Sequence, residues 1–450
     1  MDEPSHSEPF ERRIRAALRA LLLGAITLAS SCSGGGPDAK EGPSLVVVLV
    51  IDTLRADHLP FYGYGFDTAP FLTELAEKGV IFDNAWATSS WTAPATASIF
   101  TGVYPDQHGV TTGIQNYARN KARGRDVTLH RIPDALDTIA TLAGSLGYRT
   151  FGVADNPNIC ELEGFHRGFD RFQSFGYEGA ATVNEVVASW ADEVRASDKA
   201  FVYLHYMDPH GPLHERPERG EQRGRHEANW SYDGEIRYMD DHIRRAFEQL
   251  GVDDDTLILF VADHGQEFWD HGAYGHGPQL YSELTRVPLF LCDPDRVAAQ
   301  TRVAADVSAI DLLPTLRQLL GATASPQDAG VSLVPYYAEE DAAPEARAVF
   351  AMRHAGPLLL KSVVHDGFKY IRHLRDGKTK HELYDLAADP AEQQNLADAQ
   401  PERVAALAAL LERFERDAPR WEQRSLEHRA SDEELEMIER LGYAGDGAGD

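Results

Sequence analysis

Cysteine is scarce: the 450-residue chain holds three, and one of them, Cys32, lies in an N-terminal leader. The other two, Cys160 and Cys292, have no zinc-ligand spacing, which excludes a thiolate metal site. A disulfide between them, or two buried small apolar side chains, both remain open on sequence grounds. Positive charge is short as well, with 43 Lys and Arg against 71 Asp and Glu and a net charge of −28. That excludes a nucleic-acid binder and electrostatic attraction to anionic lipid. An anionic substrate is then admissible only where a cation sets the local field. The apolar stretch Ala16 to Ala29 is too short for a comfortable transmembrane helix, which needs about 20 residues. No internal repeat is visible. What remains, 43% hydrophobic and 25% charged, is ordinary globular composition with length for a large core.

Arg12, Arg13, Arg15 and Arg19 flank the start of the short apolar stretch, and LASSC ends it at Cys32. A charged region, a short apolar region and a small-residue cleavage site make an export signal. Cys32 after small residues resembles a bacterial lipoprotein cleavage box, the alternatives being a plain secretory signal or a disordered leader. The Gly/Ser/Pro-rich Ser33 to Pro43 reads as a flexible tether. The expectation is an exported lipoprotein facing periplasm or cell exterior, touching membrane through that anchor alone.

Three near-continuous apolar runs follow: LVVVLVI (Leu45 to Ile51) ending on Asp52, AFVYLHY (Ala200 to Tyr206) leading to Asp208-Pro209-His210, and TLILFVA (Thr256 to Ala262) ending on Asp263-His264. Such runs fit parallel strands buried on both faces, and ligands bind beyond the carboxyl ends of such strands. Helical stripes alternate with them: a helix capped by Thr68 with Pro70 in its first turn, another over Asp134 to Leu146 feeding the strand RTFGVA, and stripes at Val183 to Val194 and Ile310 to Leu320. The polar stretch Arg216 to Glu227 reads as a surface loop. A Glu/Ala/Pro-rich linker at Ala338 to Ala346 precedes three strand-like runs (Ala348 to Met352, Leu358 to Val364, Lys369 to Arg372) and a helix near Pro401 to Phe414. The expected fold is α/β: a large, mostly parallel sheet flanked by helices, with a smaller C-terminal α+β subdomain. The expected division is 1–43 signal and tether, 44–340 catalytic domain, 341–430 antiparallel sheet and helix, and 431–450 acidic tail.

In SSWTAPATASIFTGVYP, Thr92 stands two residues before Pro94 at a helix start. A hydroxyl there faces free backbone N–H groups and the positive end of the helix dipole, which favours an anionic ester beside it. A plain N-cap is the commoner job for such a residue. Asp52, Asp263 and His264 make a reasonable donor set for a hard to borderline divalent ion. His210 and His276 lie near strand ends or Gly-rich turns and are candidates to protonate a leaving group. His271 is given no role.

IDTLRADHLPFYGY, SSWTAPATASIFTGVYPDQHGV, YLHYMDPHGPL, FVADHGQEFWDHGAYGHG and LYDLAADPAEQQNL resemble, in order, successive signatures of the sulfatase family within the alkaline phosphatase superfamily. The resemblance implies hydrolysis or transfer of phosphate or sulfate esters, with Asp52, Thr92, Asp263 and His264 as metal ligands and Thr92 as nucleophile. It implies that His210 and His276 contact the ester and its leaving group. One divalent ion is implied, Ca, Mg or Mn before Zn, because Asp208 and His210 lack the spacing of a second zinc site.

The departures are informative. Sulfatases place Cys or Ser, matured to formylglycine, where this chain has Thr92. Their following Ser-Arg is Ala95-Thr96 here, and their second Asp is Thr53. Their sulfate-gripping Lys and His find Ala154, Asp155 and Asn156. Threonine nucleophiles belong to phosphodiesterases, phosphatases and lipid-headgroup phosphotransferases, so phosphoester chemistry is expected first and a true sulfatase second. A sulfatase-fold binding protein without turnover is the non-enzymatic alternative. The substrate is expected to be a small-molecule, glycan or lipid-headgroup ester.

Overall fold

The computed structural model describes residues 42–422, apart from 123, 125–127, 215–226, 298–299 and 339–345. The leader with Cys32, nearly all of Arg216 to Glu227, most of the Ala338 to Ala346 linker and the acidic tail lie outside the described residues.

The Val- and Ile-rich run Leu45–Ile51 (β1) is buried along almost its whole length and occupies the middle of a nine-stranded sheet. Val80–Trp86 (β2), Arg149–Asp155 (β3), Arg171–Phe175 (β4), Ala200–Tyr206 (β5) and Leu257–Ala262 (β6) join it. Across the sheet the order is Thr301–Ser308, β2, Leu289–Cys292, β6, β1, β5, β3, β4, with Arg286–Val287 paired to β2. β1 lies parallel to both β5 and β6, Ile51 facing Tyr206 on one side and Ala262 on the other. Leu289–Cys292 and Arg286–Val287 run antiparallel to their neighbours. Because the long strands are parallel, β1, β3, β5 and β6 all finish on one edge. Helices cover the faces, among them Pro70–Lys78, Ala180–Ala196 and Glu227–Leu250. No described helix is long and apolar enough to cross a membrane.

Two helix starts differ from expectation. The Pro70–Lys78 helix is preceded by Ala69, and its free N–H groups at Phe71 and Leu72 donate to Asp240 at 2.9 and 2.8 Å. A carboxylate from another helix is a stronger acceptor than a hydroxyl, and Thr68 donates to the His58 carbonyl instead. The Asp134 to Leu146 segment becomes helical only at Ile139, where Thr138 caps it by accepting the Thr141 N–H. Cys160 and Cys292 form no disulfide, so they take the packing role. Burial raises the Cys292 thiol to about 12.

The C-terminal subdomain is an antiparallel meander of Val349–Ala355, Leu358–His365, Phe368–Arg375 and Lys378–Asp385. The fourth strand was not expected, since Lys378, Thr379, Lys380 and His381 are exposed and carry no apolar alternation. Leu407 and Leu411 of the Pro401–Asp417 helix pack on Val363, Tyr370 and Leu383. Buried Lys369 pairs with buried Glu392 at 3.0 Å and donates to Thr285 at 3.1 Å. Glu392 also accepts the Ser282 N–H, so this acid of the last signature segment joins the subdomain to the main sheet.

His271 belongs to the same junction. It stacks on Tyr281 with centroids 3.6 Å apart, lies 2.7 Å from Glu283 and 3.1 Å from the Glu392 carbonyl. Burial opposes its charged form, but the hydrogen bond and charge of Glu283 prevail and raise it to about 9 from 6.5. A raised folded-state pKa gives stability that is full below pH 6.5 and lost as pH rises through 9. Urea unfolding between pH 6 and 10 is expected to show that decline in wild type and a flatter one in His271→Gln. Equal slopes in both would remove the interaction from the stability of the junction.

Candidate active site

Asp52 continues β1 and Asp263 continues β6, both without solvent exposure. The chain turns after Asp52 through Thr53, whose φ of 54° is strained for a β-branched residue. That strain is held in place from both sides of the residue. The Thr53 N–H donates to Asp263 at 3.3 Å, and the Thr53 carbonyl accepts the Tyr232 hydroxyl at 2.6 Å. His264 donates its backbone N–H to the same Asp263 oxygen at 2.7 Å. Its Nδ1 lies 2.9 Å from the Gly265 carbonyl, which fixes the hydrogen on Nδ1 and leaves a lone pair on Nε2. A side chain at Gly265 would meet the Glu283 carbonyl at 2.0 Å, so the glycine after His264 is sterically required.

Thr92 is not a cap. The Thr92–Thr101 helix takes extended Trp91 as its N-cap without a side-chain hydrogen bond, and Thr92 is its first helical residue. That position turns Oγ1 inward, 3.2 Å from Asp52 Oδ2 and 3.3 Å from His264 Nε2. His264 Nε2 is in turn 3.7 Å from Asp52 and 3.6 Å from Asp263. The four residues expected as ligands therefore share one buried point.

Two further residues reach it that the sequence reading had not assigned. Asn156, just past β3, donates to Asp52 Oδ2 at 2.7 Å and lies 3.4 Å from Thr92 Oγ1. His205, inside β5, is fully buried with Nε2 3.8 Å from Asp52, and neither ring nitrogen has a hydrogen-bond partner. Asp52, His205 and Asp263 offer ligand atoms within 4.8 Å of one another. The sequence signal for His205 was a lone imidazole in a run otherwise apolar or aromatic. For Asn156 it was a polar residue at a strand end shared with Asp52.

The electrostatics suit a cation. Burial, then the Asp52 charge, push the Asp263 carboxyl well above its ordinary range, against the N–H groups of His264 and Thr53. Burial lowers His264 and His205 to about 4, with Asp52 opposing, so both rings are neutral and have a lone pair to give. Asp52 Oδ1 and Asp263 Oδ2 are buried with no hydrogen-bond partner. Two orphaned carboxylate oxygens and neutral imidazoles fit a divalent ion of hard to borderline character. Asp208 accepts the Ala180 N–H at the head of a helix, a structural role.

The two outer histidines line up beside this point. His276 lies 5.0 Å from the His264 ring and 4.9 Å from His210, with Tyr177 5.7 Å beyond. Burial, then the charges of His210, His264 and Arg353, lower His276 well below its ordinary value. A buried hydroxyl, two carboxylates with unpartnered oxygens and two imidazoles together can cleave an anionic ester.

Residues 44–322 match the family model for sulfatases, and residues 270–417 match the C-terminal model of N-sulphoglucosamine sulphohydrolase. A Delta 4,5-hexuronate-2-O-sulfatase of Bacteroides thetaiotaomicron is 21% identical over 81% of this chain and 86% of its own length. A phosphatidylethanolamine transferase of Escherichia coli is 27% identical over 64% of this chain and 55% of its own. The solved structure of a 2-O GAG sulfatase superposes with a TM-score of 0.70 at 19% identity, covering 83% of this chain and 92% of that one.

Asp263→Asn separates the metal cradle from a structural carboxylate pair. Removing one of two buried like charges is expected to raise the melting temperature of the metal-free protein. Metal at a hundredfold excess over its Kd should stabilise wild type by about 2.7 kcal/mol, and the variant should lose that gain. Thermal unfolding with chelator and with Ca²⁺, Mg²⁺, Mn²⁺ or Zn²⁺ checks both. A variant that keeps the whole gain would take Asp263 out of the cradle.

Proposed function

This chain belongs to the sulfatase family, hydrolases acting on sulfate or phosphate esters that use a divalent metal ion, and from that premise we propose that Thr92 is its nucleophile. The observation that carries the reading is Thr92 Oγ1 at hydrogen-bond distance from both Asp52 and His264, on a buried helix start. Asp52, Thr92, Asp263 and His264 would hold the ion, with His205 close enough to add an imidazole. Oxygen donors with one or two nitrogens favour Ca, Mg or Mn, and Zn is compatible. When bound, the ion lowers the pKa of the hydroxyl and offsets charge on the ester's non-bridging oxygens. Thr92 Oγ1, its proton directed at Asp52, attacks phosphorus or sulfur and forms a covalent ester to the enzyme. His210 gives a proton to the departing alkoxide. His276, held neutral, accepts a proton from the water that then splits the Thr92 ester, Asp52 returns its proton to the departing Thr92 Oγ1, and the proton on His276 restores His210, whose ring is 4.9 Å away. The free N–H groups at the helix start face the developing negative charge.

Two substrate readings each have a separate support. An unmodified hydroxyl can form and discharge a phosphoryl ester, which favours phosphoesters, and a phosphatidylethanolamine transferase is among the similar proteins. The family match and the hexuronate sulfatase favour a sulfuric ester, and this second reading has the wider backing among relatives. A sulfated or phosphorylated glycan or small molecule fits both. The N-terminal Cys32 lipid anchor facing periplasm or exterior stays part of the proposal.

An aryl phosphate monoester, a phosphodiester and a sulfate, each offered with the four metals, separate the two. Thr92→Ala is expected to lose at least a thousandfold in kcat, about 4 kcal/mol, while its melting temperature moves little because Thr92 is a helical residue and not the N-cap. Thr92→Ser should keep measurable turnover. Mass spectrometry of acid-quenched enzyme should find a phosphoryl or sulfuryl group on Thr92. Near wild-type turnover by a folded Thr92→Ala protein would remove the residue from the chemistry.

A further inference from the structure

The positions where the family carries its anion-gripping cations hold none here: Ala95 and Thr96 follow the nucleophile motif, and Ala154 and Asp155 end β3 with Asn156 just past it. In a chain of charge −28 that leaves the anionic head of a substrate without a side-chain cation from the main sheet's own motifs. The C-terminal sheet brings one. Its first strand, Val349–Ala355, is tied to the nucleophile loop by the Met352 N–H donating to the Thr88 carbonyl at 2.9 Å. The next residue, Arg353, lays its guanidinium over Trp91, Cζ 4.8 Å from the ring centroid, and Trp91 immediately precedes Thr92.

Arg353, itself half-buried, differs from other arginines withdrawn from solvent in the fold. Arg55 pairs with Asp57 and Asp270, Arg317 with Asp328, and Arg347 with Asp311. Arg353 has Nε and Nη1 shielded from water with no acceptor for either. Burial without a counter-charge pulls its pKa down to about 10. The Trp91 face attracts the charge but accepts no in-plane N–H. Desolvated guanidinium donors without an acceptor destabilise a fold, and they are the groups that a tetrahedral oxyanion satisfies through two of its oxygens.

We propose that Arg353 is the substrate-binding cation of this site, gripping the non-bridging oxygens of the sulfate or phosphate group beside Thr92 and supplying from the C-terminal sheet the charge that positions 95–96 and 154–156 lack. This rests on the hydrolytic reading for the identity of the ester, but the binding of the oxyanion is testable without turnover. The full-length, metal-loaded protein is titrated calorimetrically with inorganic phosphate and with inorganic sulfate, as wild type, Arg353→Met and Arg353→Lys. Arg353→Met is expected to bind both anions at least tenfold more weakly, and Arg353→Lys, a point charge without the planar fork, to fall between. The anion-free Arg353→Met protein should melt at or above the wild-type temperature, since it loses an unsatisfied buried charge.

Wild type that binds neither anion overturns the assignment. So does Arg353→Met that binds within twofold of wild type, or that melts well below it, which is the mark of a structural contact with Trp91. Aryl ester kinetics keep the two claims apart. Anion binding that depends on Arg353 in a wild type without turnover supports the residue and rejects hydrolysis. Turnover with unchanged KM and anion affinity in Arg353→Met supports hydrolysis and rejects the residue.

Discussion

Two carboxylates withdrawn from water, Asp52 and Asp263, follow paired residues of adjacent parallel strands, and much of the molecule is arranged around their mutual repulsion. The parallel register places Ile51 opposite Ala262, so neither acid can retreat without disturbing the centre of the sheet. Removing paired like charges from solvent is costly unless something of opposite sign joins them. Backbone N–H groups of Thr53 and His264 offset part of the cost at Asp263, and Asn156 does so at Asp52. One oxygen of each acid is still left without a partner. A divalent ion would fill that deficit, and the Thr92 hydroxyl and His264 ring stand where they would complete its surroundings.

The C-terminal sheet closes the other side of this arrangement. Lys369 and its partner Glu392, through Thr285 and Ser282, and Lys361, through Asp106, hold it against the main domain by charged groups that are largely buried. Such pairs are weak contributors to stability, but breaking one leaves an uncompensated charge, so they favour a single docking geometry over alternatives. That geometry fixes Val349–Ala355 against the loop before Thr92 and sets Arg353 over Trp91. The last signature segment, with Glu392, accordingly serves the placement of a strand rather than the chemistry.

The parts of the fold legible in sequence were those written in long local patterns. LVVVLVI and TLILFVA announced buried parallel strands, and their terminal acids announced a shared edge. What was not legible depended on residues distant in sequence. Asp240 displaced Thr68 at a helix start because a carboxylate from another helix is the better acceptor. Thr92 had the local look of a cap, yet the chain enters its helix one residue earlier, at Trp91, and frees the hydroxyl to face inward. His205 was hidden inside an apolar run, where one imidazole reads as packing. Arg353 lies outside every signature segment, and only the docking of two sheets brings it over Trp91. The strand Lys378–Asp385 escaped because half of it faces water without alternation.

The central claim is that the edge shared by β1 and β6 holds one divalent ion among Asp52, Thr92, Asp263 and His264. Anomalous diffraction from crystals of the full chain grown with Mn²⁺ tests it most directly. The account predicts one strong anomalous peak at that point, with oxygens of Asp52 and Asp263, Nε2 of His264 and Oγ1 of Thr92 each about 2.0–2.4 Å away. Full-occupancy density elsewhere, with this point empty and the two carboxylates sharing a proton instead, would contradict it.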